Sequence, residues 1–137
     1  MAYEESIRSI TLNADATLAI RTGVSGAPGS PVDNAGNQYR GVKVTGSHQV
    51  GLPAAVGDAV VGIMQNKPQV AGEAATVAIR GVSKVRVNGA IAAGATVWLA
   101  ADGRGTATTA AGTTALGVAL TAAAGANELI PVLLRVN

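Results

Sequence analysis

The sequence predicts an all-β fold, a small β-barrel or sandwich of short antiparallel strands with an extended N-terminal arm and loop. Two observations support this prediction. Apolar and polar residues alternate in several short segments, as in Val42–Thr45. Turns that contain glycine separate these segments at a spacing of about ten residues, which is typical of all-β domains.

The chain of 137 residues fits a single domain with two parts. Residues 1–41 are predicted to form an arm with one strand near Thr17–Thr22, followed by a loop over 23–41 that is rich in glycine and proline. Residues 42–137 are predicted to form the β domain. Loops this long inside compact domains are usually functional or disordered.

The β domain contains a possible internal repeat, 42–80 and 97–135, in which the two copies align without a gap. The matching residues are Val42, Ala55, Gly57, Gly62, Glu73, Val77 and Arg80 in the first copy and Val97, Ala110, Gly112, Gly117, Glu128, Val132 and Arg135 in the second. A unit of strands and turns used twice indicates a structural part more than an enzyme.

The strands of the β domain are predicted in chain order. The apolar run Ala59–Met64 is typical of a buried strand. Thr76–Val87 is predicted to form a longer strand, bent at Gly81, and Asn88-Gly89 to form a hairpin turn after it. On that strand one face carries Val77, Ile79, Val85 and Val87 and the other carries Arg80, Lys84 and Arg86.

Three shorter strands complete the prediction: Thr96–Ala100, Leu116–Leu120 and Leu129–Val136. Pro131 lies near the start of the last strand. Because proline cannot donate a ladder hydrogen bond, we expect this residue at an edge or at a first strand position.

The composition offers few large side chains for a core. The chain has no Phe, one Trp, two Tyr and 18 glycines. A fully buried Leu or Ile contributes roughly 1.5–3 kcal/mol, whereas glycine has no side chain to bury. We therefore expect self-association, or docking on a larger surface, to supply additional burial.

Charge and residue types exclude several classes of function. The net charge of +2 is too small to indicate a nucleic-acid-binding protein. With His48 as the single histidine and no cysteine, a metal cluster of His or Cys ligands is excluded, and no catalytic set or cofactor motif is present. The acidic start lacks a secretory signal, and the uncharged stretch Gly105–Asn127 is too rich in Ala, Thr and Gly for a membrane span. We therefore predict no enzyme activity, cofactor, metal or small-molecule substrate, and no nucleic-acid or membrane partner.

The candidate interface residues are Tyr39, Arg40, Arg80, Lys84, Arg86 and Trp98. The basic stripe of the long strand is either a solvated face or a surface that docks on an acidic protein. Trp98 is expected on the opposite strand face from Val97 and Leu99, where it is either an interface anchor or part of the core. Tyr39 and Arg40 end the glycine-rich loop and are weaker candidates.

Several short motifs occur together in a fixed order. They are Gly72-Glu73, Val77–Val82, Ala90–Leu99, Asp102–Arg104, Ala115–Ala119, Ala122–Gly125 and Val132–Leu134. In this order and spacing, over roughly Gly57–Val136, the chain resembles the capsid cement, or head decoration, proteins of tailed bacteriophages. It departs from that family at Ala95, where the family often has Asp, and in residues 1–41, which match poorly.

The resemblance implies a non-enzymatic virion protein on the outer surface of the capsid. Its partner would be the major capsid protein, whose neighbouring subunits it would clamp, and it would act as a homo-oligomer, with a trimer favoured. Two other classes stay open. One is a phage fibre or tail-associated β module, or a small carbohydrate-binding barrel. The other is an enzyme with a trimeric β fold whose site, containing His48 and a carboxylate, forms between subunits.

Overall fold

The computed structural model describes residues 7–18, 37–109 and 115–135. Most of the predicted loop over 23–41 lies outside these residues. Within the described ranges the chain forms nine strands and no helix, which confirms the predicted all-β class. The strands are β1 (Arg8–Ala14), β2 (Gly41–Gly46), β3 (Gln49–Gly51), β4 (Val60–Met64), β5 (Ala74–Arg86), β6 (Thr96–Leu99), β7 (Gly105–Thr106), β8 (Gly117–Ala119) and β9 (Leu129–Leu134).

Five strands close into a small barrel, here called the first ring. Their order is β1-β3-β2-β4-β5, and β1 also pairs with the first half of β5, which closes the ring. Only β1 and β3 run parallel within it. Closure leaves no free strand edge, so the backbone hydrogen bonds of these short strands are shared on both sides.

The second half of β5 begins a second ring. It pairs with β9, which continues through β8 and β6 to β7. A parallel bridge between Val87 and Gly105 returns β7 to the end of β5. The long strand β5 therefore belongs to both rings and joins them. Gly81, with a φ of 101°, lies where it passes from one ring to the other.

The two rings share one pattern of strand pairing. Val42 pairs with Gly62 in the first ring, as Val97 pairs with Gly117 in the second. The pair Ile63–Ala78 is matched in the same way by the pair Val118–Leu133. Both matches keep the alignment of the predicted repeat, in which residue 42 corresponds to residue 97. The internal repeat and the domain boundary at residue 41 both stay predictions.

Each ring has its own buried cluster. The first ring is filled by Ala14, Leu18, Val42, Val50, Met64, Ala75 and Val77. The larger cluster contains Ile63, Ala78, Val85, Val87, Ile91, Val97, Leu99, Leu116, Ala119, Ala123, Ile130, Val132 and Leu134. Ile63 and Ala78 belong to strands of the first ring, so the second cluster also fills the space between the rings.

The segment predicted as an extended arm contains a strand, Arg8–Ala14. Thr17 and Leu18 lie in the turn after it, and the rest of the strand predicted near Thr17–Thr22 lies outside the described residues. Asp15 directs this turn, because its Oδ1 accepts hydrogen bonds from the backbone N–H and the hydroxyl of Thr17. The first segment is thus a strand of the barrel, and its pairing with both β3 and β5 closes the first ring.

The hairpin predicted at Asn88-Gly89 is wrong. β5 does not turn back onto β6, the next strand in sequence, but pairs with β9, the last strand of the chain. The N–H of Asn88 donates to the carbonyl of Gly105 at 2.9 Å, which ties this bend to β7. Tertiary pairing therefore overrides the local turn preference of Asn-Gly.

Pro131 lies inside the sheet and not at an edge, contrary to expectation. It is the third residue of β9, between β5 and β8. Its carbonyl accepts a hydrogen bond from Leu120, which lies just past the end of β8. Because the N and C=O of one residue in an antiparallel strand point the same way, the missing N–H faces the end of β8 and no bond to β5 is lost.

Candidate interaction surface

Three arginines from distant parts of the chain lie at one end of the second ring. Arg40 precedes β2, Arg86 ends β5 and Arg104 precedes β7. The backbone at residues 39–41 brings them together, because Tyr39 O accepts the N–H of Arg86 at 2.9 Å and the N–H of Gly41 donates to Gly103 O at 2.7 Å. We call Arg40, Arg86 and Arg104 the arginine cluster.

Asp102 and Asn127 hold the arginine cluster in place. Arg104 Nε donates to Asp102 Oδ2 at 2.7 Å, and its backbone N–H donates to Asp102 Oδ1 at 3.0 Å. Arg104 Nη1 also reaches Asn127 Oδ1 at 3.2 Å, and Arg86 Nη1 donates to the Asn127 carbonyl at 3.1 Å. Asp102 thus pairs with Arg104 and acts on Arg40 through charge, while the Asn127 carbonyl binds Arg86.

Burial and charge act together on this cluster. Burial lowers the pKa of Arg40; Asp102 raises it, and the nearby Arg104 and Arg86 lower it further. Burial raises the pKa of Asp102, but hydrogen bonds and charge from Arg104, together with the charge of Arg40, outweigh it and lower the pKa overall. Among the described residues no acceptor meets the buried Nε of Arg40. The cluster can therefore accept a further carboxylate from a partner.

Tyr39 and Lys84 extend the positive surface. Lys84 Nζ lies 6.0 Å from the centre of the Tyr39 ring, at the outer limit of a cation–π contact. Tyr39 itself has a φ of 66°, a left-handed conformation that lets the backbone pass between β5 and the turn at 100–103. Four of the predicted interface residues, Tyr39, Arg40, Lys84 and Arg86, therefore lie together.

The other two predicted residues lie elsewhere. Arg80 is exposed on the first half of β5, opposite Arg8 of β1, beside an open depression that Ile7 and Gly81 also line. Trp98 lies on β6, half-buried, on the opposite face from the buried Val97 and Leu99. Neither side chain shares a hydrogen bond with the arginine cluster in the described part of the chain.

Asp102 and Arg104 belong to this group of residues but were not among the predicted interface residues. The sequence identified them only as part of the family motif Asp102–Arg104. A charged pair across a turn was the available signal. Nothing local indicates that this turn lies beside Arg40, since that placement depends on the hydrogen bond between Gly41 and Gly103.

The outer side of the second ring is an apolar sheet surface, here called the outer face. One row across it is Val82, Leu133, Val118 and Thr96, from four adjacent strands. Lys84 lies beside Pro131 and Arg86 beside Leu129, so basic residues border this surface along β5. Leu120 and Leu129 are 48% and 41% exposed.

Metal binding, a role for His48 and a membrane-spanning helix have little support in the described residues. No group of three or more His, Asp or Glu side chains there could hold a metal ion. His48 lies exposed in the turn between β2 and β3. No helix among residues 7–18, 37–109 and 115–135 is long and apolar enough to cross a membrane.

Comparison with known proteins bears on this arrangement of strands. The model of the phage cement protein family matches the chain over residues 37–135, which include β2 to β9 and the arginine cluster. The protein belongs to the phage cement protein family. It is therefore a bacteriophage structural protein, and the resemblance stated from its sequence motifs is confirmed.

The fold of this cement protein also occurs among solved structures. The N base of the head fiber gp8.5 in bacteriophage phi29 aligns with a TM-score of 0.55 and 14% sequence identity, covering 95% of each chain. At this identity the likeness concerns the fold. No curated protein matches the chain.

Proposed function

We propose that this cement protein binds the outer surface of the assembled phage head and stabilises contacts between major capsid subunits. Membership of the cement family is the observation that carries the proposal. The protein acts by binding and not by catalysis, without a cofactor, as a homo-oligomer for which we favour a trimer. The described residues contribute a compact two-ring body with a positive end and an apolar outer face.

The arginine cluster is the proposed contact with the capsid, with Tyr39 and Lys84 beside it. Asp102 pairs directly with Arg104 and acts on Arg40 only through charge, and the Arg40 Nε is buried without an acceptor in the described residues. An acidic side chain of a capsid subunit would supply that acceptor through a charge-assisted hydrogen bond. The cluster therefore favours an acidic protein surface as its partner. Arg80 and Trp98 stay candidate contacts outside the cluster.

Stabilisation follows from mass action. A protein that binds the assembled lattice and not its separated subunits adds its binding free energy to the assembled state. Repetition over the shell then makes many modest sites effective together. A small barrel with few large core residues suits this role, since binding supplies burial that the isolated chain lacks.

A fibre base is the second candidate function. The likeness to the phi29 head fiber base favours it, although that likeness concerns the fold. A fibre base would also bind the head, but it would carry a further protein on its distal side. Binding that saturates over the whole expanded lattice favours the cement role, whereas binding at few positions favours the fibre role.

The test is co-sedimentation with expanded heads that lack the protein, compared with unexpanded proheads. We expect saturable binding to expanded heads, weakened by salt because exposed charge contacts are screened. Absence of binding to either particle at near-physiological salt would refute the proposal.

Charge-matched variants locate the contact. Arg40→Gln and Arg104→Gln each remove one positive charge from the cluster, and we expect each to weaken head binding roughly tenfold. Arg135→Gln is the control, because it removes the same charge from an exposed side chain after β9. Equal effects of all three substitutions would show that only net charge matters and would exclude the cluster as the contact.

A further inference from the structure

The two rings differ in what covers their outer sides. In the first ring the pair Ile63–Ala78 is fully buried, although both side chains point away from the cluster that fills that ring. They belong to the cluster of the second ring, which packs on them. The first ring is thus covered by the other half of the same chain.

Leu99 illustrates how this cover is made. A Cβ atom placed on Gly41 would lie 2.6 Å from Leu99 Cδ1 and 3.3 Å from Val60 Cγ1. The end of the second ring therefore reaches over Gly41, next to Ile63 across the β2–β4 ladder. Leu99 is only 8% exposed as a result.

The matching surface of the second ring has no such cover in the described residues. In the alignment of the repeat, the counterparts of Gly41, Ile63 and Ala78 are Thr96, Val118 and Leu133. Thr96 is exposed, and Val118 and Leu133 are half-buried. These positions form one row of the outer face, with Val82 beside them. The uncovered surface is thus at least as apolar as the covered one.

The first ring carries an exposed side chain that could cover the outer face of a second copy. Val44 is the counterpart of Leu99, since Val44 pairs with Val50 as Leu99 pairs with Gly105. Val44 is 55% exposed at the free end of the first ring. The first ring therefore presents the exposed Val44, and the second ring presents the uncovered outer face.

We propose that a second copy of this chain occupies the outer face, so that Val44 of one copy packs against Val118 and Leu133 of the next. The contact repeats between chains the packing that joins the two rings within one chain. It is head-to-tail, and such contacts generate closed rings when the rotation closes. This contact would join the copies of the homo-oligomer in the proposed function. The number of copies rests on that proposed function.

The contact between copies differs from the internal one in its backbone. Within the chain, the backbone of residues 39–41 lies between Arg86 and Gly103 and is hydrogen-bonded to both. In the first ring, His48 is the counterpart of Gly103, and its carbonyl already accepts the N–H of Asn13 at 2.8 Å. The contact between copies is therefore made by side chains on the outer face, without insertion of a strand.

The test measures the mass of the whole chain in solution by sedimentation equilibrium. Val44→Asp and Val118→Asp each place a charge in one half of the proposed contact. We expect the wild type to be oligomeric and each variant to dissociate at least about tenfold more readily. Val70→Asp is the matched control, because Val70 is 46% exposed in the turn before β5, and we expect its mass to be unchanged.

Mixing the variants distinguishes this contact from self-contact of either patch. The Val44→Asp chain retains its outer face and the Val118→Asp chain retains its Val44. Their mixture should therefore form a heterodimer, since only one intact contact remains. Thr96→Arg, at an exposed position of the same row, replaces Val118→Asp if that variant fails to fold.

Several results would overturn the inference. They are a monomeric wild type, an unchanged mass of Val44→Asp, or dissociation without complementation in the mixture. A Val118→Asp chain that keeps its mass but loses head binding would show that the capsid occupies the outer face. Head binding by a monomeric wild type would refute this contact and leave the proposed capsid binding intact. An oligomer that binds no heads would refute the proposed capsid binding and leave this contact intact.

Discussion

Gly117 is the position where one added methyl group should damage the second ring most. It lies on β8 between Val97 of β6 and Leu134 of β9. A Cβ atom there would lie 2.8 Å from the carbonyl carbon of Leu133 and closer still to its oxygen. Both are backbone atoms, so no side-chain rotation can relieve the overlap in a Gly117→Ala variant.

The magnitude follows from how far the strands must separate. Ordinary contact begins at 3.4 Å, so the approach at 2.8 Å requires a movement of at least 0.6 Å. Ladder bonds near 2.9 Å would then approach 3.5 Å and weaken severely. Loss of about two bonds at about 1 kcal/mol each, with about 1–3 kcal/mol of strain, outweighs the 0.5–1 kcal/mol that alanine gains over glycine. We expect a net loss of about 2–4 kcal/mol.

Urea unfolding followed by circular dichroism measures this loss. In thermal unfolding, at about 4 °C per kcal/mol for a domain of this size, the melting temperature should fall by roughly 8–16 °C. Gly125→Ala is the control, because a Cβ at Gly125 meets no atom within 4 Å. A Gly117→Ala variant within about 0.5 kcal/mol of the wild type, the usual range of neutral surface changes, would refute this account of strand approach.

Three further predictions concern stability. Gly62→Ala should cost a similar 2–4 kcal/mol in urea unfolding, because a Cβ there overlaps Ala78 O as one at Gly117 overlaps Leu133 O, and a neutral result would contradict the shared pairing pattern. Ile63→Ala should cost about 2–5 kcal/mol, because Ile63 is fully buried between the rings, and a loss below about 1 kcal/mol would show that the rings do not pack on it. The hydrogen bond from Lys43 at 2.8 Å, followed by backbone N–H groups of Ala54 and Ala55, lowers the pKa of Asp58 to about 2. This lowered pKa lies below the unfolded value of about 4, so its contribution is present above pH 4 and is lost as pH falls toward 2. The stability difference between wild type and Asp58→Asn should shrink over that range in urea titrations, and a constant difference would contradict the assignment.

Much of the fold could be predicted because its signals are local. Alternating residues and glycine turns located β2, β4, β6, β8 and β9 and the long strand β5 to within a few residues. The matches between 42–80 and 97–135 coincide with the shared strand pairing. The opposite orientation of Trp98 and Val97 also follows from the period of a strand alone.

The errors occurred where a distant segment competes with a local preference. Asn88-Gly89 has the composition of a hairpin turn, yet β5 pairs with β9 instead. The segment of β1 was predicted as an extended arm because its own apolar residues are sparse, and it is a strand through pairing with β5 and β3. No window of sequence contains both members of such pairs.

The sequence by itself determined the all-β class, the family, the positions of most strands and the basic residues available for binding. Only the tertiary structure decided that two rings share β5, that Arg86, Arg104 and Asp102 lie around Arg40, and that one apolar sheet surface is covered while no described residue covers its counterpart. The physical reason is that alternation and turn chemistry act over a few residues. Ring closure and charge clustering instead depend on hydrogen bonds between segments far apart in the chain, such as that between Gly41 and Gly103.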